Sequence, residues 1–200
     1  MRHLLLCLLF ATPLAWADGL VLSSANTAPA LAPLQTLPAQ QSVTVSIGKL
    51  LVADLQGNRW LKFGPGCSAS LAQSGCAASQ PLPANLRAVL TRLPETLAAI
   101  AAFDDSLPSR TISPLLTRAA QQGAQLRKTL GDEAALLYLL DAQVRLQDGQ
   151  GVQQSLNQLA LLWPDNKQIG ALLAHVRRLG LAVAAPPVGA QVVVKPLELQ

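Results

Sequence analysis

The sequence predicts a mainly α protein, built of helical hairpins beside a small N-terminal β-hairpin. Apolar residues recur at helical spacing through residues 84–180, the mark of helices with one buried face. An alternating run and a Gly-Asn turn place strands between residues 42 and 63. The 200 residues are 50% hydrophobic but 4% aromatic, so the core is expected to be leucine and alanine. Charged residues make up 13%, about half the usual ~25%, which excludes a charged disordered tail. A formal charge of +4 with few aromatics for stacking argues against a nucleic-acid partner.

Met1-Arg2-His3 is a short basic start, and an apolar run over residues 4–10 follows it. Ala15-Trp16-Ala17 puts small residues at the two positions a signal peptidase reads. Residues 1–17 are therefore expected to be a signal peptide, cleaved after Ala17. The apolar run is shorter than the ~20 residues of a membrane span. Leu6, before Cys7, is not the small residue that lipidation requires. Asp141 and Arg145 interrupt the most apolar helix candidate downstream, so no transmembrane segment is expected in the mature chain. The expected location is the periplasm, or the medium after full secretion. A Leu-, Ala- and Gln-rich composition with Arg preferred to Lys fits a bacterial envelope protein.

Residues 18–41 carry Pro29, Pro33 and Pro38 with no helical or strand period, and read as a Pro-rich linker or arm. Within residues 42–80, Val43-Thr44-Val45-Ser46-Ile47 alternates as a half-buried strand does. Apolar runs at 50–55 and 59–63 flank Gln56-Gly57-Asn58, whose Gly-Asn pair tolerates positive φ, and so predict a β-hairpin. Cys67 and Cys76 follow in a turn-rich loop; in an exported chain they are most simply a disulfide fixing the hairpin's exit.

The helical domain is expected over 84–180. Leu86, Val89, Leu90 and Leu93 form one helix face, and Pro94 either ends that helix or opens the next. Ser113-Pro114 is a cap followed by a first-turn proline, starting a helix that runs to Gly131. Asp132 caps a helix over 133–147, and Asp148-Gly149 breaks it. Another runs over 152–162 to Trp163-Pro164, and a last over 167–179 to Gly180. Residues 181–200 form an extended tail, or give a further strand to the hairpin through Gln191-Val192-Val193-Val194.

Residues 133–166 make a 34-residue helix–turn–helix with Leu136, Leu139, Leu146, Asp148, Leu156, Leu162, Pro164, Asp165 and Asn166 at marked positions. This resembles a tetratricopeptide repeat. Leu140, Val152 and Leu159 stand where the motif has small residues, and Gln143 where it has an aromatic. The resemblance implies repeat-like packing and a groove for an extended peptide or partner helix, lined by Ala134, Leu137, Asp141, Val144 and Arg145. The alternative is an ordinary helical hairpin, with Leu137 and Val144 in the core and Asp141–Arg145 an i,i+4 surface pair.

Few residues offer catalysis. His175 is the one histidine beyond the signal peptide, and no G-x-S-x-G elbow or dinucleotide fingerprint occurs. Ile47-Gly48-Lys49-Leu50 lacks the flanking residues of a phosphate loop. The cysteines are not spaced C-x-x-C, and zinc would need two further ligands. No catalytic, cofactor or metal residue is expected, and the chain is read as no enzyme. The expected function is an exported envelope interaction protein, a scaffold or assembly factor for an envelope or secreted partner. A secretion system, a pilus or another surface structure is the expected setting. The alternative is a periplasmic carrier of an apolar small ligand.

Overall fold

The computed structural model describes residues 19–104 and 113–180. The expected signal peptide and the expected strand at 191–194 lie outside the described residues. Within them the fold is mixed α/β rather than mainly α, in three layers. A five-stranded antiparallel sheet is the middle layer, in the order β3-β1-β5-β6-β8. Its strands are β1 (Gly19–Ser24), β3 (Thr36–Leu37), β5 (Leu50–Asp54), β6 (Arg59–Phe63) and β8 (Ala78–Pro81). A three-stranded sheet covers one face, with β4 (Val43–Val45) between β2 (Thr27–Ala28) and β7 (Ser68–Ala69). Five helices cover the other: α1 (Ala84–Ala101), α2 (Pro114–Leu130), α3 (Asp132–Arg145), α4 (Gly149–Leu162) and α5 (Lys167–Arg178).

The alternation along β5 builds both cores. Leu50 and Val52 join Val43, Val45, Leu61 and Phe63 between the sheets. Leu51 and Ala53 face the other way, into the helix core with Trp60, Leu86 and Leu137. Every residue of β5 is buried, as a strand covered on both faces must be.

The segment expected to be a linker or arm is instead part of this sheet. β1 pairs with β3 on one side and β5 on the other, from Gly19↔Asp54 to Ser24↔Leu50 with a register shift between Val21 and Ser23. Val21 enters the intersheet core and Leu22 the helix core, so the strand is apolar on both faces and shows no alternation. That erased the period-2 signal on which the strand's recognition depended.

The expected hairpin is β5–β6, paired from Leu50↔Phe63 to Asp54↔Arg59, and Asn58 takes φ +53° in its turn. The Asp54 carboxylate accepts from the Gly57 N–H at 2.6 Å and from Arg59 Nη2 at 2.7 Å and Nε at 3.0 Å. A Cβ on residue 57 would stand 2.2 Å from Asp54 Oδ2, so any larger residue there would displace the carboxylate from this turn. The alternating strand β4 does not extend this hairpin; it belongs to the smaller sheet.

The disulfide is formed, with the Cα atoms of Cys67 and Cys76 5.8 Å apart. Cys67 immediately precedes β7 of the small sheet, and Cys76 lies just before β8, an edge of the large one. The bond therefore ties the two sheets together where the chain leaves for α1.

The starts of α2 and α5 follow their capping residues, whereas Asp132, expected to cap α3, is that helix's first residue and makes no cap hydrogen bond. Ser113 Oγ accepts from the Leu115 N–H at 3.2 Å, and Asn166 Oδ1 from the Ile169 N–H at 3.0 Å. Gly131 and Gly180 take φ of +109° and +65° beyond the ends of α2 and α5. Pro94 neither ends nor starts a helix but lies inside α1. Its own ring is on the exposed side of the helix. The break expected at Asp148-Gly149 falls slightly earlier, with Gln147 at φ +55° and Gly149 already in α4.

Candidate functional site: the cleft between the first three helices

Helix α3 is the centre of the helical layer, packed by α1, α2 and α4. Its burial overturns the groove expected along it. Ala134 and Leu137 are 0% exposed, Asp141 3% and Val144 8%. Of the five expected groove residues, Arg145 alone is open to solvent, and its side chain is 67% exposed. A groove along α3 needs a face without neighbours, whereas here α1 and α2 occupy that space. Leu137 and Val144 are core residues, in keeping with the ordinary-hairpin reading.

Asp141 does pair with Arg145 at i,i+4, but as a buried carboxylate whose nearer partners lie on α1. Its Oδ2 accepts from Arg92 Nη2 at 2.7 Å, and Oδ1 accepts from Arg92 Nε at 3.4 Å. Thr96 Oγ1 donates to Oδ1 at 3.0 Å. Arg145 Nη1 stands 3.9 Å away, the longest of these contacts. The carboxylate is thus committed first to α1, through a two-pronged guanidinium contact and a hydroxyl. The hydrogen bond that Arg92 donates to Asp141, aided by the carboxylate's charge, holds the guanidinium's proton affinity above its ordinary value, against the opposing effect of burial.

Above this pair the three helices leave an open cleft of about 510 Å³. Val89, Leu115 and Ala119 give it apolar surface, with Asn85, Gln122 and Tyr138 among its polar lining. Arg92, Arg118 and Arg145 come from three different helices to line it around Asp141. Tyr138 Oη donates to Gln122 Oε1, joining α3 to α2 at the wall. Arg118 is exposed and has no ion pair among the described residues.

Sequence reasoning missed Arg92, Thr96 and Arg118. Arg92 and Asp141 are 49 residues apart, and no local pattern joins them. One signal was present: Arg92 and Thr96 are one turn apart beside the apolar face of Leu93 and Leu97, where polar groups need a partner.

A second open cleft, about 350 Å³, lies between the loop after β2 and the end of α4, lined in part by Leu31, Leu162 and Trp163. The Trp163 indole N–H is buried and has no acceptor among the described residues. Nearby, Asn166 Nδ2 donates to Pro33 O at 2.9 Å, fastening the loop to the helices. His175 serves a similar end, with Nε2 3.0 Å from Phe103 O at the end of α1. Among the described residues no three His, Cys, Asp or Glu side chains gather as metal ligands, and no helix is long and apolar enough to cross a membrane.

No protein-family model, curated protein or solved structure matches this chain. The resemblance of residues 133–166 to a tetratricopeptide repeat stands on residue spacing alone.

Proposed function

We propose that this chain is an exported interaction protein of the bacterial envelope, a scaffold or assembly factor. In this reading it holds a segment of an envelope or secreted protein in the α1–α2–α3 cleft. The observation that carries the reading is the make-up of that cleft: an open concavity in which the apolar Val89, Leu115 and Ala119 stand beside Tyr138, Arg118 and Arg145. Tyrosine and arginine over apolar surface are the residues most enriched where proteins bind one another. Export rests on the N-terminal signal pattern and accords with a disulfide, which forms in oxidising compartments. Work on a secretion system, pilus or other surface structure is the setting we propose for it.

A carrier of an apolar small ligand needs an enclosed, apolar chamber. The two clefts described above open to solvent and carry polar lining, which favours the protein partner over the carrier.

Photo-crosslinking in the native host tests the reading. A crosslinker replaces Leu115, which is 54% exposed at the cleft, or Leu161, which is 82% exposed on α4 as a control. One recurrent envelope protein, identified by mass spectrometry from position 115 and absent from 161, is the expected result. Equal adducts from both positions would overturn the reading. So would a co-purifying small molecule in place of any protein adduct.

A further inference from the structure

We infer that the segment taken by the α1–α2–α3 cleft is acidic, and that it places a carboxylate between Arg118 and Arg145. The inference rests on the cleft being a partner site, and it names the partner's chemistry. Three guanidiniums and one carboxylate line the cleft. That carboxylate, Asp141, is buried and already bound to Arg92 and Thr96. Glu95, one turn along α1, acts on Arg92 as well. Arg118, without an ion pair among the described residues, and Arg145, held only at 3.9 Å, are the cations left over.

The consequences differ by partner. A basic segment would meet unpaired like charge, and a neutral one would cover Arg118 and Arg145 without replacing their water. An acidic segment replaces that water with charge-assisted hydrogen bonds, and the guanidinium fork matches a carboxylate in two-pronged fashion. Val89, Leu115 and Ala119 beside the arginines favour a polypeptide, whose apolar side chains can flank the acid, over a free anion. The geometry therefore points to a mixed acidic and apolar stretch of a protein.

The test measures binding of the full chain to fluorescent peptides by anisotropy. One peptide alternates Leu and Glu, and its counterparts carry Gln, Lys or phosphoserine in place of Glu. The Glu peptide is expected to bind at least about tenfold tighter than the Gln peptide, a difference of about 1.4 kcal/mol. Its affinity should fall as salt shortens the screening length from about 10 Å at 0.1 M to about 3 Å at 1 M. Arg118→Glu with Arg145→Glu should abolish that preference and transfer it to the Lys peptide, which a merely unfolded variant cannot do. Equal binding of Glu and Gln peptides, both lost in Leu115→Asp, would overturn the acidic assignment and leave the cleft as a partner site. Binding that Leu115→Asp leaves unchanged would overturn both. Tighter binding of the phosphoserine peptide would overturn the carboxylate in favour of a phosphate, and no binding by any peptide would overturn the inference outright.

Discussion

Asp141 joins helices whose contact residues lie 49 positions apart, and its environment decides what its loss does. Asp141→Ala leaves the Arg92 guanidinium without its carboxylate and Thr96 without its acceptor. We predict a loss of about 1–3 kcal/mol, below the scale for a fully buried pair because the Arg92 side chain is 36% exposed, read from urea denaturation. Arg145→Ala removes a longer, exposed contact and should change stability by no more than about 0.5 kcal/mol in the same assay. Leu137, wholly buried, should cost about 2–5 kcal/mol as Leu137→Ala. Equal effects of Asp141→Ala and Arg145→Ala would contradict this division between a clamp and a free cation. Of the candidate site, the sequence pointed to Asp141 and Arg145 through the repeat resemblance, but not to which of them was buried. That depended on Arg92, which no local pattern links to either.

At the level of elements, legibility followed the number of covered faces. β4, with Val43 and Val45 buried and Thr44 half-buried between them, alternates and was readable as a strand. β1, which sends Val21 and Leu22 into opposite cores, does not alternate and reads as a linker because prolines follow it. Capped helices were readable to within a few residues, since Ser113, Gly131, Asn166 and Gly180 act locally. Pro94 was misleading because its cost is outweighed by the burial of Leu90, Leu93, Leu97 and Ile100 on either side of it. Pro94→Ala restores a backbone donor within α1 and is expected to raise stability by about 1–3 kcal/mol. A melting temperature that falls instead would show that the proline shapes the helix rather than merely being tolerated by it.

The whole molecule is a sheet clad on both sides, helices on one face and a second sheet on the other. The Cys67–Cys76 disulfide ties the two sheets at the point where strands give way to helices. Replacing both cysteines by serine should cost about 2–3 kcal/mol, measured as the shift in unfolding midpoint between the two forms. A shift of that size is expected to leave the α1–α2–α3 cleft in place, because the helical core is formed by other residues. The fold thus separates what holds the sheets together from the surface proposed to meet a partner.

The most direct test of that proposed surface is the yield of the crosslinked adduct from position 115, compared between the otherwise native chain and one carrying Arg118→Glu with Arg145→Glu. Both substitutions are at exposed positions, so the fold should persist while the adduct with the envelope partner disappears. An adduct that forms at native yield in the folded, charge-reversed chain would contradict the account.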